Sequence, residues 1–243
     1  MGYRDRLFDK YADTHFKHIR EFSADALKRQ LRTYRHYFGK LLPNELGAHI
    51  LEIGCGYGIF LQFLRAEGYQ NIEGVDICPQ QVDAARQLGI ANIVCRDATD
   101  FLLEKPESYD CVIAIDFLDH LLKNQIIDLL EAIYRGLRPG GKVIIQATNA
   151  DGPFAGRLRY GDFTHEFALT GTSASQLLRA TGFGEIRIFG TDPYIHGFLS
   201  LIRVVAWRAI KALFWVFVVA ETGVTRGYIF TQNLIAVAQK PTH

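Results

Sequence analysis

Neither sign of charge dominates this sequence: 27 Lys and Arg stand against 26 Asp and Glu, a formal net of +1. A chain so balanced has no overall field to draw a polyanion, and it carries no NPPY-like base-flipping motif, so nucleic acid is not an expected partner. Cysteine is scarce. The four present, Cys55, Cys78, Cys95 and Cys111, lack the CxxC or Cys/His spacing of a zinc site or redox pair, and reduced thiols in a cytoplasmic protein are expected. The first residues, MGYRDRLFDKYADTHF, have no apolar centre of the kind a secretory signal needs, and Arg6 stands where a myristoylation motif after Gly2 wants Ser or Thr. Low-complexity tracts and internal repeats are absent too. With 243 residues and a 49% hydrophobic share, the chain suits one large domain with additions and is too short for two ordinary ones.

What is there is a repeated alternation of apolar runs and amphipathic segments. Two helices are expected first, Arg4 to about Phe16 and a second capped by Ser23, with Ala26, Leu27, Leu31, Tyr34 and Phe38 at helical spacing and Pro43 as its stop. Strands then read AHILEI, NIEGVD, NIVCRD, YDCVIAID and GKVIIQAT, separated by helices such as PQQVDAARQLG and NQIIDLLEAIYRGL. Near-continuous apolar strands between helices indicate an α/β, doubly wound, mostly parallel sheet covered on both faces. GEIRIFG and NLIAVAQK complete seven strands. The expected layout is a single domain: an N-terminal helical lid (1–45), a cofactor-binding core (46–150), an acceptor loop with a helix and the sixth strand (151–190), an apolar helical insertion (191–231) and the last strand (232–243).

The turn after the first strand, LEIGCGYGIF, has glycines at every second position, Gly54, Gly56 and Gly58. A dinucleotide fingerprint would read GxGxxG and receive a pyrophosphate. Here acids stand at three strand ends, Glu52, Asp76 and Asp97, a surround that repels a diphosphate. It suits a ligand with an ammonium, a sulfonium, a ribose diol and an adenine: Glu52 and the glycine carbonyls for the cationic end, Asp76 for both ribose hydroxyls, Asp97 for the adenine amino group. Those are the parts of S-adenosyl-L-methionine, whose product would be S-adenosyl-L-homocysteine.

LEIGCGYG, GVDICPQQVDAAR, RDA, YDCVIAIDFLDHL and LRPGGKVII, in that order, resemble the successive motifs of Rossmann-type (class I) S-adenosylmethionine-dependent methyltransferases, over Ile50 to about Gln146. The resemblance implies cofactor contact by Glu52, Gly54, Cys55, Gly56, Asp76, Ile77, Asp97, Ala98 and Asp116. The N-terminal segment resembles the lid helix of such enzymes, with Tyr11 and Phe16 over the cofactor.

Two stretches at the carboxyl ends of the strands can face an acceptor. In DFLDHL, Asp119 and His120 either face the active centre or cap the next helix. In RLRYGDFTHEF, Arg159, Tyr160, Asp162, Thr164, His165 and Glu166 fall close together, either as acceptor-binding groups or, for Asp162 and Thr164, as a turn. His165, Asp162 and His120 are the candidate bases for a hydroxyl proton. Asp162, His165 and Glu166 form an alternative metal set, but HEFAL lacks the second histidine of HExxH, and no metal is expected. RYGDFTHEFALT with the following SxxQLLRxTGF resembles a subgroup associated with bacterial surface-polysaccharide biosynthesis. That resemblance implies a sugar hydroxyl of a glycan or glycolipid as acceptor, held by Asn149, Arg159, Tyr160 and Glu166. A lipid-soluble small molecule such as a quinone precursor is the alternative acceptor, and a non-catalytic cofactor-binding scaffold the alternative to an enzyme.

The insertion holds the most apolar segment, 197–223, interrupted by Arg203, Arg208 and Lys211. At about 100° per residue, these and Ser200 fall in one sector of about 140°, which describes a basic amphipathic helix. Its apolar face suits either the membrane interface, as a peripheral contact at the inner membrane face, or burial in a homodimer or against the sheet.

Overall fold

A computed structural model describes Leu7 and residues 24–242 of the chain. The expected first helix, with Tyr11 and Phe16, lies outside the described residues. Helix α1 (Ala24–Phe38) ends five residues before Pro43, because a turn at 39–42 already closes it through the Phe38 carbonyl. The strands follow as β1 (Ile50–Ile53), β2 (Ile72–Asp76), β3 (Ile93–Cys95), β4 (Tyr109–Ile115), β5 (Leu137–Thr148), β6 (Gly184–Gly190) and β7 (Asn233–Gln239). They form one seven-stranded sheet in the order β3-β2-β1-β4-β5-β7-β6. β1 to β5 are parallel, and β7 runs antiparallel between β5 and β6.

The intervening helices are α2 (Ile59–Ala66), α3 (Pro79–Gln87), α4 (Ala98–Leu103), α5 (Lys123–Gly136), α6 (Ala155–Arg159), α7 (Gly171–Ala180) and α8 (Phe198–Thr222). They cover both faces of the sheet, which is why its strands read as unbroken apolar runs. Along β4, Cys111 and Ile113 pack with Phe38, Phe60, Leu61 and Val82 on one face, and Val112 and Ala114 pack with Phe101, Leu129 and Ile133 on the other. Strand pleating sends successive side chains to opposite layers. Glu52 shares the first face with Ile50, and its carboxyl therefore enters a layer otherwise built of Phe, Leu and Val.

The order reverses between β1 and β4, so the crevice that holds a ligand in such sheets opens at their carboxyl ends. Helix α8 sits on the far edge and spans 25 residues, very near the expected 197–223. The face that turns inward carries Ser200, Val204, Trp207 and Lys211, while Arg203 and Arg208 stay exposed: Trp207 Nε1 and Lys211 Nζ donate to the Asp192 carboxylate at 2.6 and 2.8 Å, and Ser200 and Val204 are buried. The apolar sector turns outward, leaving Leu199, Ile202, Val205, Leu213, Val216 and Phe217 exposed. Burial of that face against the sheet, one of the expected placements, does not occur. Among the described residues no helix is long and apolar enough to cross a membrane.

Candidate active site

A cavity of about 1050 Å³ lies at the carboxyl ends of β1, β2 and β4. Its floor is the glycine turn. Gly54 has φ 65° and Gly56 φ 51°, a left-handed backbone that L side chains rarely adopt, and a Cβ on Gly54 would stand 2.3 Å from the Phe117 ring. Gly54→Ala is therefore expected to weaken cofactor binding about tenfold, from strain of roughly 1–2 kcal/mol plus the displaced ring. Equilibrium titration with S-adenosylmethionine measures it, and an unchanged affinity would refute the close approach.

Of the six carboxylates lining this cavity, four stand at or near the ends of β1 to β4, each held differently. Asp76 Oδ2 accepts the Gly56 N–H and Oδ1 the Cys78 N–H, both at 2.8 Å, so the loop amides fix the carboxylate at the strand end. Burial raises its pKa and those amide bonds oppose the rise. Asp97 caps α4, with Oδ1 accepting from Thr99 and Asp100 N–H. Asp116, at φ 51°, accepts two bonds from Gln146 Nε2, and burial pushes its pKa up to about 6. Glu52 is the exception. Among the described residues its Oε2 is the buried side-chain oxygen with no hydrogen-bond partner, and burial, then the Asp76 charge, hold its pKa well above the ordinary range.

An orphaned buried carboxylate oxygen facing a ligand cavity is costly unless a cation meets it. The set fits S-adenosylmethionine on those grounds: Glu52 for the ammonium, Asp76 for the ribose hydroxyls, Asp97 and the Ala98 backbone for the adenine. Ile77 is exposed at the rim of the same cavity. Cys55 belongs to the turn by its backbone only. Its buried thiol packs where a Cβ on Gly74 would meet it at 2.8 Å. Tyr34 of α1, with Phe60 and Phe117, adds aromatic wall that sequence reasoning did not assign. For Phe117 the signal was available, since it directly follows the β4 end; for Tyr34 nothing distinguished it from core packing.

At the mouth, the DFLDHL and RLRYGDFTHEF stretches meet. Asp119 does not cap α5, whose N-cap is Leu122. Instead its buried carboxylate accepts from Thr148 N–H and Oγ1, and its backbone carbonyl accepts from Glu166 and Phe167 N–H. This ties the acceptor loop to the end of β5. His120, Asp162 and His165 all line the cavity, and their potential ligand atoms lie within 4.8 Å of one another. The two rings meet edge to face at 4.7 Å. Thr164 gives its N–H (2.9 Å) and its hydroxyl (2.7 Å) to Asp162 Oδ1, so the expected turn forms and also carries the site.

The four residues expected to hold the acceptor do not line the cavity. Asn149 is fully buried, with Nδ2 donating to the Ile229 and Thr231 carbonyls ahead of β7. Arg159 clamps the backbone carbonyls of His165 and Glu166. Tyr160 is 80% exposed beneath the Arg159 guanidinium, off the cavity wall, and Glu166 does not line the cavity. Asn149 and Arg159 thus spend their side chains on backbone carbonyls. Their neighbours Arg157 and Leu158 form the wall instead.

A family model described as a methyltransferase domain matches residues 26–186, more than half of the chain. The chain is 27% identical over 118 residues to the ubiquinone biosynthesis O-methyltransferase of Xylella fastidiosa, a match covering 46% of this chain and 46% of that relative, so the chain spans just under half the length of that protein. Its fold is similar to a SAM-dependent methyltransferase from Archaeoglobus fulgidus, with TM-score 0.64 at 23% identity over 98% of this chain and all of the other. It is also similar to Haemonchus contortus phosphoethanolamine N-methyltransferase 2, solved in complex with S-adenosyl-L-methionine, with TM-score 0.60 at 17% identity over 96% and 60% of the two chains. With the family matched across the glycine turn, the acidic strand ends and the acceptor loop, the chain belongs to the methyltransferase-domain family.

Proposed function

We propose that the chain methylates a hydroxyl of a lipid-soluble small molecule, a phenol such as a quinone precursor. The observation that carries this reading is the composition of the mouth: one proton-accepting cluster, His120, Asp162 and His165, among Phe117, Leu121 and Leu158. A flat apolar ring fits such walls, and a hydroxyl at its edge meets the cluster. The cofactor supplies an electrophilic methyl, whose C–S bond breaks with its electron pair staying on sulfur as the acceptor's C–O bond forms. The chain's own part is to aim the hydroxyl, exclude water and take up the proton. A carbonyl from Leu158 holds His165 Nδ1 at 3.0 Å and fixes the ring. A sugar acceptor has less support here, since Asn149, Arg159, Tyr160 and Glu166 stand off the cavity wall and only Asp162 and His165 of its expected contacts line it. The name of the Xylella relative agrees with the phenol.

The outward face of α8 fits the same reading. Its apolar residues are flanked by exposed Arg203 and Arg208, an arrangement suited to an interface in which the arginines reach anionic headgroups. Flotation with vesicles containing anionic lipid is expected to carry the chain, and Leu213→Glu with Phe217→Glu to weaken that binding more than about tenfold. A chain that stays in solution and elutes as a dimer would assign the face to a second copy.

The acceptor itself is tested by homocysteine-product release from purified protein. Turnover is expected with a dihydroxybenzene bearing an isoprenoid tail and not with nucleotide-linked sugars. The reverse preference would overturn the reading.

A further inference from the structure

We propose that the acceptor carries an oxyanion, a carboxylate or a phosphate, and that Arg157 binds it at the mouth of the cavity. Among the described residues two arginines line that cavity. Arg96 gives both terminal guanidinium nitrogens to the Glu104 carboxylate. Arg157 is exposed, and among the described residues its guanidinium makes no hydrogen bond or ion pair. Two residues on, Arg159 is clamped to the carbonyls of His165 and Glu166. Arg157 is therefore the arginine left to a ligand. Its guanidinium stays charged, accepts nothing, and presents a fork of N–H donors matched to the paired oxygens of a carboxylate or phosphate.

The turn that carries Arg157 also ties it to the candidate base. Its N–H donates to the Phe154 carbonyl at 3.0 Å, and a Cβ on Gly161 would stand 2.4 Å from its own carbonyl oxygen, so its backbone is closely packed in place. The next residue, Leu158, turns its carbonyl to His165 Nδ1 at 3.0 Å and itself lines the cavity. The cation thus sits one residue from the group that orients the base. An acceptor whose anion meets Arg157 has its ring against Leu158 and its hydroxyl in a fixed relation to His165.

Charge makes this arginine selective. Six carboxylates line the cavity, so an anion is admitted only beside a cation. A neutral acceptor gains nothing from Arg157 beyond contact with its apolar stem. That the anion belongs to a methylated phenol rests on the O-methylation reading; the capture of an oxyanion by Arg157 does not.

The test has a binding arm and a turnover arm, both on the purified full chain. Calorimetry in the presence of S-adenosylhomocysteine is expected to show benzoate or phenyl phosphate binding at one site, weakened about tenfold or more in Arg157→Ala and partly recovered in Arg157→Lys. The tighter of the two tells carboxylate from phosphate. In turnover, a dihydroxybenzene bearing that anion is expected to exceed the same ring without it by about tenfold or more in kcat/KM, the difference lying in KM, and Arg157→Ala to erase the preference. Failure of both anions to bind, binding untouched by Arg157→Ala, or an equal loss for charged and neutral rings would overturn the proposal. A fall in S-adenosylmethionine affinity in Arg157→Ala would assign the arginine to the cofactor's own carboxylate and overturn it as well. Anion binding that depends on Arg157 in a chain that methylates no phenol would uphold the oxyanion site and reject the phenol reading.

Discussion

His165→Ala is expected to lower the rate of methyl transfer about 10²- to 10⁴-fold, the usual worth of a positioned proton-transfer group, with no change in S-adenosylmethionine affinity. The separation follows from the layout. His165 lies at the acceptor mouth, held by the Leu158 carbonyl at its ring and by Arg159 at its backbone. The part of the cavity expected to take the cofactor is built from β1, β2 and the α4 N-terminus. His165→Gln, which keeps a polar group in the space but cannot take up a proton, should be equally slow. A KM effect with unchanged kcat in either variant would demote His165 to acceptor binding, and loss of cofactor affinity would show that the two halves are not separate.

Glu52→Gln should weaken S-adenosylmethionine binding by about 100-fold or more, because it removes the anionic partner of a buried cation. It should also make the unliganded chain more stable. Glu52 is 4% exposed and Oε2 is unpaired, so ionising it inside the apolar layer costs folding energy that the amide avoids, on the order of 1–3 kcal/mol. The pH dependence has a definite sign. Burial raises the folded-state pKa of Glu52 well above its unfolded value, so its contribution to stability is full below the unfolded pKa and is lost as pH rises through the folded one. Cofactor binding runs the opposite way, since the cation favours the ionised form. Affinity is therefore expected to increase as pH rises through the Glu52 range, with proton release on binding, and to be nearly flat with pH in Glu52→Gln. Thermal melts and calorimetric titrations in two buffers of different ionisation enthalpy read both effects. A variant that melts lower and binds equally well would remove Glu52 from the ammonium site.

These two residues also mark what the sequence makes readable and what it hides. The strand cores, the glycine turn and the acids at the strand ends were readable because a buried parallel sheet leaves unbroken Ile, Val and Leu runs, and each polar residue at a run's end then points to the crevice. Glu52 was located that way. That its Oε2 goes unpaired depends on α2 and Tyr34 packing over it, which no local pattern encodes. The acceptor loop shows the opposite limit. Asn149, Arg159, Asp162 and His165 are all polar residues near one another in sequence, and only the folded chain separates those that satisfy backbone carbonyls from those that line the cavity. Likewise the periodicity of α8 gives two faces, but which one turns inward is decided by Asp192, fifteen or more residues away, drawing Trp207 and Lys211 toward the body.

The most direct measurement is the fate of a labelled methyl group. Purified chain and methyl-labelled S-adenosylmethionine are added to a lysate of the source cells, and the label is followed into organic-soluble, aqueous and polymer fractions, with His165→Ala as the control. The expected result is label in an organic-soluble aromatic ether, absent with the variant. Label in a polysaccharide or glycolipid would contradict the phenol reading in favour of a sugar hydroxyl, and label on nitrogen would contradict O-methylation itself.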